Sequence, residues 1–326
     1  MLRISDIKLG TDDTESDLRK KVLKLLGVKN VKSFEISKKS IDARKKPDIH
    51  YVYSVDVETD NEEYYAKKIK NSQIVKKKTY EFPKCGKFDK PVVIVGTGPA
   101  GLMCGLTLAQ NGYKVILLER GKCVEERMKD VEAFWEAGFL NPESNVQFGE
   151  GGAGTFSDGK LNTLVKDTYG RGKEVLSRFV EAGAPSEILY QQKPHLGTDQ
   201  LVGIVQFMRH QIEEMGGEFR FRSTVTDLVV RDQKLAAVIV NEKEEIPAEI
   251  CVLAPGHSAR DTFAMLNKHN LSMEPKSFAV GVRVEHPQTM INQDLYGEPE
   301  NDYLGAASYK VTHTLENGRG VYSFCM

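Results

Sequence analysis

The 326-residue sequence lacks the features that mark membrane, secreted and metal-cluster proteins. No apolar run approaches the roughly 18 residues that a membrane span needs, and the first six residues contain no apolar core of a secretion signal. The five cysteines are odd in number and form no Cys-x-x-Cys pair. This pattern disfavours a disulfide framework and a Cys-rich zinc site, so we expect no metal and a reducing, cytoplasmic compartment.

The chain also has almost no net charge, with 45 basic and 46 acidic residues, but the two signs are unevenly distributed. Residues 1–90 hold 22 Lys and Arg against 15 Asp and Glu, whereas the remainder is acidic. The change in composition predicts a domain boundary near residue 90. A basic module can contact nucleic acid or another polyanion. The alternative is an ordinary solvated surface, which could also dock on the acidic remainder.

Residues 1–86 are predicted to form a small α+β module. Strands are expected at 2–9, 31–41, 49–57 and 73–79, and helices at 14–26 and 61–70. Thr14 or Ser16 can cap the first helix and Gly27 can end it. The resulting βαββαβ order is that of a ferredoxin-like module, a fold that does not by itself determine a role.

A glycine-rich turn follows an apolar strand at 91–95. The turn reads Gly96-Thr-Gly-Pro-Ala-Gly101, and it leads into a helix at 102–110 and a second buried strand at 114–118. Glu119 stands at the end of that strand, 23 residues after the first glycine. This βαβ context makes the motif far more specific than a lone Gly-x-Gly-x-x-Gly.

Each part of the turn has a chemical reason. Gly96 allows a tight turn, Gly98 lets the backbone approach a pyrophosphate, and Gly101 allows close helix–strand packing. Pro99 suits the first helical position, and the helix N-terminus favours phosphate charge. Glu119 can accept two hydrogen bonds from an adenosine ribose. The sequence therefore predicts a bound dinucleotide.

A second glycine-rich segment, residues 145–161, has five glycines in eleven residues and no strand before it. We interpret it as a loop whose backbone approaches a flat or anionic ligand. The alternative is a flexible linker, which Phe148, Phe156, Asp158 and Lys160 make less suitable. Further on, residues 217–225 are predicted to enter a β-meander with strands at 229–230, 236–240 and 246–253. The last strand leads into Ala254-Pro-Gly256.

Together these motifs resemble the FAD-binding oxidoreductases of the glutathione-reductase structural superfamily. Residues 39–46, 147–161, 194–199 and 282–287 are similar to a bacterial family described as uncharacterised FAD-dependent dehydrogenases. The resemblance implies non-covalent FAD and an α/β fold: a Rossmann-like FAD-binding domain (87–163 and 196–265), an inserted substrate domain (164–195 and 266–326) and the preceding ferredoxin-like module.

The resemblance also implies a set of cofactor-binding residues. The pyrophosphate would lie at Gly96, Gly98, Pro99, Ala100 and Gly101, and the ADP ribose at Glu119 with Arg120 and Gly121 beside it. Gly152, Ala153, Gly154 and Lys160 would follow the flavin side, Val225 would meet the adenine, and Gly256 would be a second close approach. Arg127 either reaches the phosphates or is a surface residue of a helix at 122–137.

The sequence departs from the superfamily pattern in two places. It contains no second strand–Gly-x-Gly-x-x-Gly–helix unit, so no dedicated NAD(P)H domain is expected, although NAD(P)H can still bind in an open cleft as an electron donor. The apolar strand near the end stops before the late flavin-covering segment of the superfamily. We therefore expect the natural chain to continue beyond Met326.

Three residues are candidates for catalysis. Lys160 could stabilise negative charge near N1 of a reduced flavin, and His195 could act as an acid or base. Arg283, on a strand predicted at 278–284, could bind an anionic substrate. Each has the plain alternative of an exposed or structural side chain. No cysteine pair has the spacing of a redox-active disulfide.

The expected function is that of an FAD-dependent dehydrogenase or reductase acting on a small or hydrophobic molecule. Two alternatives remain open. One is a flavin enzyme that modifies RNA and grips it through residues 1–86. The other is a non-catalytic FAD-bearing interaction protein.

Overall fold

The computed structural model describes residues 1–83, 86–157, 159–161 and 165–325. Asp158 and Met326, named above, lie outside the described residues. The N-terminal module contains β1 (Leu2–Leu9), α1 (Glu15–Leu26), β2 (Ser33–Asp42), β3 (His50–Glu58), α2 (Glu62–Lys68) and β4 (Ser72–Ile74). Its sheet is antiparallel with the order β2-β3-β1-β4. The predicted ferredoxin-like module is confirmed, although its last strand is shorter than expected.

Helix α1 can be predicted from signals that lie close together in the sequence. Thr14 and Asp17 form a reciprocal capping box, and Gly27 ends the helix in the left-handed conformation with a φ of 70°. Leu18 and Val22, at helical spacing, face a core formed with the buried side of the sheet. The cap and the apolar spacing are both sequence-local signals, which is why they predict this helix well.

The central unit begins with a strand, a helix, a strand and a helix in turn, and further helices and strands follow. Its elements are β5 (Val92–Val95), α3 (Pro99–Gln110), β6 (Val115–Leu118), α4 (Val124–Ala137), α5 (Arg171–Glu181), α6 (Thr198–Glu214), β7 (Glu218–Arg220), β8 (Val225–Arg231), β9 (Lys234–Val240), β10 (Glu244–Pro247), β11 (Cys251–Leu253) and α7 (Arg260–Lys268). Four of the strands form a parallel sheet in the order β11-β5-β6-β7. This is the predicted Rossmann-like arrangement.

Both faces of the parallel sheet are covered, which explains why β5 and β6 are continuous apolar runs. Val92 and Ile94 point into a core shared with α3 and α6. Val93 and Val95 point into a second core, shared with the β8–β10 sheet and α7. The strand ends between these layers are therefore held rigidly, and they carry the turns described below.

The predicted β-meander is only partly correct. β8, β9 and β10 form a three-stranded antiparallel sheet, as expected. Residues 246–253, however, are not one strand: β10 pairs with β9, and β11 pairs in parallel with β5 in the other sheet. The chain therefore leaves the antiparallel sheet after Pro247 and joins the parallel sheet at Cys251. A continuous apolar run in the sequence does not reveal that its two halves pair in different sheets.

The last part contains α8 (Gln288–Tyr296) and a hairpin of β12 (Tyr309–Thr314) and β13 (Gly320–Cys325). The strand predicted at 278–284 is wrong, since residues 271–287 have no regular structure. Its alternating apolar residues are exposed, with Val280 and Val282 each 89% accessible. A β-strand requires a neighbour to accept its hydrogen bonds, and the described residues provide none for this segment.

The N-terminal module contacts the rest of the chain along the edge strand β2. Backbone hydrogen bonds join the Lys39 amide to the Tyr190 carbonyl at 2.7 Å and the Gln192 amide to the Lys39 carbonyl at 3.0 Å. A small apolar cluster brings Ile49 and Tyr51 of the module against Ile291 of α8. The partition at residues 86 and 87, and the inserted substrate domain, remain predictions. No helix within the described ranges is long and apolar enough to cross a membrane.

Candidate functional site

A cleft opens at the carboxyl ends of β5, β6 and β11. It has a volume of about 270 Å³. In the parallel sheet β5 lies between β6, which follows it in sequence, and β11, which comes much later. Ligands of open α/β sheets bind at such a reversal of strand order. Ten of the predicted cofactor residues line this cleft: Gly96, Gly98, Pro99, Ala100, Glu119, Arg120, Gly152, Ala153, Val225 and Gly256.

The first glycine turn leaves no room for other residues at two positions. Gly96 has a φ of +96°, and a Cβ there would lie 2.3 Å from the carbonyl oxygen of Ala254. A Cβ on Gly101 would lie 1.9 Å from the Gly96 carbonyl oxygen. Gly101 therefore lies behind the turn and allows helix α3 to begin close to β5. These are the steric roles that the motif predicts.

Gly98 differs from these two glycines because its Cβ position is not blocked by the protein. A Cβ there would be 3.7 Å from Cα of Gly152, an ordinary contact distance. The residue precedes Pro99 at the start of α3, and the first turn of α3 has no acidic side chain. The free N–H groups and partial positive charge of this helix end point into the cleft and suit a phosphate.

Glu119 lies in the cleft wall and is only 5% exposed. Its Oε2 accepts hydrogen bonds from the Thr97 amide at 2.8 Å and the Thr97 hydroxyl at 2.9 Å. Its Oε1 accepts from the amides of Gly121 and Gly149, each at 3.0 Å. A carboxylate has about four acceptor positions, so protein donors already use all of them. The predicted ribose contact remains a prediction, and Glu119 has a second role that joins both glycine segments.

We use the name glycine loop for residues 145–154. The loop follows no strand, and buried side chains hold its backbone. The most important is Arg127 of α4, which is 0% exposed. Its guanidinium donates to the carbonyls of Asn145 at 2.9 Å, Val146 at 3.1 Å and Glu150 at 2.6 Å. It also donates to those of Gly149 and Gly152.

The alternative of a surface Arg127 is therefore wrong. Burial lowers its pKa to about 10, so it is still a cation at neutral pH. Its guanidinium lies beneath the glycine loop and acts on the cleft through the loop backbone; contact with the phosphates remains a prediction. Sequence reasoning could not find this role because nothing in the motif marks an arginine 24 residues before Gly151.

The glycine loop is pressed closely against the first turn. A Cβ on Gly149 would lie 2.4 Å from Cδ of Arg127, and one on Gly121 would lie 2.5 Å from Cα of Gly149. A Cβ on Gly152, where φ is +67°, would lie 3.0 Å from Cα of Gly98. The Gly98–Gly152 approach is the narrow part of the cleft, and only glycines on both sides leave it open.

One end of the cleft combines Arg120, a predicted cofactor residue, with residues outside the predicted cofactor-binding set. The ring of Phe148 lies 4.5 Å from the Arg120 guanidinium, which also pairs with Asp261 at 2.6 Å. The further lining residues include Gln147, Ser223, Thr224, Pro255, His257, Ser258 and Thr262. Most of them directly follow a predicted strand or glycine motif, and that position was the available signal.

The predicted catalytic residues lie outside the cleft lining, but two of them are adjacent. Lys160 and His195 face each other in an isolated antiparallel β-bridge, flanked by a hydrogen bond from the Leu161 amide to the Pro194 carbonyl. Directly opposed residues project their side chains from the same face. The Lys160 ammonium also lies 5.2 Å from the ring centre of Phe324. Arg283 is on the exposed segment 271–287 and is not brought to this pair. Gly154, the last residue of the glycine loop, is exposed.

The parallel sheet, the glycine turn at a helix N-terminus and the facing glycine loop define a dinucleotide-binding protein. The open position at Gly98 and the narrow passage to Gly152 fit a diphosphate that lies against backbone, which is the observation that supports a dinucleotide here.

Comparisons with known proteins agree with this class. A family model described as pyridine nucleotide-disulphide oxidoreductase matches residues 90–171, and one described as FAD-dependent protein, C-terminal domain-like, matches residues 277–326. A domain of unknown function matches residues 1–58.

Three individual proteins are also similar. An uncharacterized protein of Clostridium beijerinckii is 46% identical over 333 residues, covering 100% of this chain and 62% of the relative. A digeranylgeranylglycerophospholipid reductase of Haloferax volcanii is 25% identical, covering 70% of this chain and 48% of that protein. The structure of THI4 from Thermovibrio ammonificans matches with a TM-score of 0.38 and 20% identity, covering 56% of this chain and 64% of that one.

Residues 90–171 and 277–326 thus resemble domains of pyridine nucleotide-disulphide oxidoreductases and FAD-dependent proteins, and the cofactor is FAD. The chain spans 62% and 48% of the lengths of the two relatives.

Proposed function

We propose that this protein is an FAD-dependent oxidoreductase that acts as a dehydrogenase or reductase on a small or hydrophobic molecule. The observation that carries the proposal is the passage between Gly98 and Gly152, with the N-terminus of α3 directed into it. Bound FAD supplies the hydride or electron transfer, and the protein supplies binding, orientation and exclusion of water.

In this proposal, different residues of the cleft hold different parts of the cofactor. The start of α3 holds the diphosphate, and Arg120, Phe148 and Val225 surround the adenosine end. Gly152 and Ala153 then lead along the glycine loop away from that end. The loop backbone, rather than side chains, forms this wall, so the protein can approach a long cofactor without steric conflict.

We propose Lys160 and His195 as the catalytic pair. The β-bridge between them places a cation and a titratable imidazole on one face, beyond the end of the glycine loop. In that position the ammonium would stabilise negative charge on a reduced ring system, and the imidazole would exchange a proton with the substrate. Arg283 stays a weaker candidate for an anionic substrate group, since its segment is exposed and distant in the chain from both.

The similarity to a protein named digeranylgeranylglycerophospholipid reductase supports a hydrophobic substrate. NAD(P)H remains a possible donor for which no separate domain is proposed, and the cytoplasm remains the proposed compartment. No contact among the described residues favours RNA modification. The β2 edge of the basic module is instead used in hydrogen bonds with residues 190–192.

Replacing Gly98 by Ala tests the central observation. The added methyl would meet Gly152 at an ordinary contact distance of 3.7 Å, so the protein should fold. It would, however, occupy the space that a diphosphate needs. We expect a flavin spectrum and extractable FAD in the wild-type protein and at least a tenfold loss of FAD affinity in Gly98→Ala.

Gly203→Ala is the matched control, because a Cβ on Gly203 of helix α6 meets nothing within 4 Å. It should retain full FAD content. Equal FAD content in the two variants would contradict the assignment of the cleft. Anaerobic reduction of bound FAD by NADH or NADPH, compared in Lys160→Met and His195→Asn, then tests the catalytic pair.

A further inference from the structure

Glu150 is an ionisable residue buried completely in the glycine loop, and the site described above does not use its side chain. It is 0% exposed. Its Oε2 accepts a hydrogen bond from the Val124 amide at 2.8 Å and from the Arg209 guanidinium at 2.9 Å. Its Oε1 is buried and has no hydrogen-bond partner among the described residues. A buried carboxylate with one unsatisfied oxygen is costly, whereas a neutral carboxyl group is much less so.

The charges around Glu150 come from three elements. Arg209 of α6 also pairs with Glu125 of α4 and so is shared between two carboxylates. Arg127 of α4 donates to the backbone carbonyl of Glu150 rather than to its side chain. Glu119, at the end of β6, is the third carboxylate nearby. Cys123 lies before α4 and interacts with Arg209.

The balance of these groups opposes ionisation of Glu150. Burial raises its pKa to about 7, and the negative charges of Glu125 and Glu119 act in the same direction. The Val124 amide and Arg209 act against them. The carboxyl group is therefore poised close to neutral pH, where a further negative charge nearby changes its proton occupancy.

Bound FAD brings such a charge. Gly152, two residues after Glu150, lines the narrow passage at Gly98 where the diphosphate lies. The diphosphate carries two fixed negative charges, and the bound cofactor also displaces water from the loop. Both effects favour the neutral form of a neighbouring acid.

We propose that Glu150 takes up a proton when FAD binds, and that the neutral carboxyl then holds the glycine loop against Gly98. Glu150 acts through the loop backbone and is a positioning residue. The inference rests on FAD binding and not on the reaction proposed above, so an inactive but flavin-binding protein leaves it intact.

The test is the dissociation constant of FAD from the apoprotein between about pH 6 and pH 8.5. We expect wild-type affinity to fall by about five- to tenfold across this range, because binding has to protonate Glu150 at the higher pH. Glu150→Gln carries a permanently neutral side chain of the same shape. It should bind FAD with little dependence on pH. Calorimetry in two buffers of different ionisation enthalpy should show fractional proton uptake only in the wild type.

Glu125→Gln is the matched control, since it removes the other carboxylate partner of Arg209 but leaves the loop unchanged. It should keep a pH-dependent affinity. A wild-type affinity that does not vary with pH, or a Glu150→Gln variant that keeps the wild-type slope, would overturn the proposal.

A second variant keeps the proposal testable if Glu150→Gln does not fold. Arg209→Gln removes the cation that opposes protonation of Glu150, so the fall in affinity should move to higher pH. An unmoved profile in a folded Arg209→Gln protein contradicts the role of Glu150.

Discussion

Neither the glycine loop nor the segment 271–287 contains an α-helix or a β-strand, yet the two differ in how their backbones are held. Arg127 donates to carbonyls of the glycine loop and Glu119 accepts from the Gly149 amide, while the Glu150 side chain of the loop accepts from the Val124 amide of α4. Residues 271–287 are almost entirely exposed, and their apolar side chains face solvent. Irregular backbone can therefore form an ordered binding wall where buried polar side chains replace the hydrogen-bond partners that a helix or sheet would supply.

Arg127→Met should have the largest effect on the stability and FAD affinity of the protein, because it removes the side chain that holds the glycine loop. It leaves several buried carbonyls of the glycine loop without a donor, and we expect a loss of about 5 kcal/mol in the free energy of unfolding. FAD affinity should fall by more than about a hundredfold. Urea unfolding and flavin titration measure the two effects.

Arg283→Met makes the same chemical change in the exposed segment and serves as the control. It should leave both stability and FAD binding close to wild type. If the two variants behaved alike, buried hydrogen bonding would not be what distinguishes the two regions.

Glu119→Ala should have the next largest effect. It removes the acceptor for Thr97, Gly121 and Gly149, and we expect a loss of about 3–4 kcal/mol in stability. FAD affinity should fall at least tenfold. Thr97→Val, which removes only the hydroxyl donor, should lose clearly less in both measurements; unchanged flavin content in Glu119→Ala would contradict its place in the site.

The stability of the apoprotein should depend on pH through Glu150 of the glycine loop. Burial raises the pKa of Glu150 from 4.5 to about 7, so the folded state binds this proton more tightly than the unfolded state. Its contribution is complete below about pH 4.5 and is lost as the pH rises through about 7. The loss amounts to about 3 kcal/mol. Measured by urea unfolding, the free energy of unfolding should fall with rising pH in the wild type but not in Glu150→Gln. Parallel pH profiles of the two proteins would contradict this role of Glu150.

Val282→Ser should have the smallest effect. The side chain is 89% exposed, so its replacement removes almost no buried contacts. The free energy of unfolding should therefore change by less than about 0.5 kcal/mol. Val93→Ala, in the core between β5 and α7, should cost about 2 kcal/mol as its counterpart. A large loss in Val282→Ser would show that the segment 271–287 is covered in solution.

The amino-acid sequence alone is enough to predict the order of elements in the N-terminal module, the turn from Gly96 to Gly101 and the acidic residue at 119. These features depend on caps, on backbone conformations open to glycine and on the apolar period of each element, all of which act between near neighbours in the chain.

Only the tertiary structure decided where the charged residues lie and which strands exist. Arg127 and Glu150 look like ordinary surface residues in the sequence, because their burial depends on carbonyls and partners that the fold brings in from elsewhere. Lys160 and His195 become neighbours through a bridge across 35 residues. Residues 278–284 alternate as a strand should, but a strand also needs a partner for its backbone, and pairing is a property of the folded chain rather than of a segment.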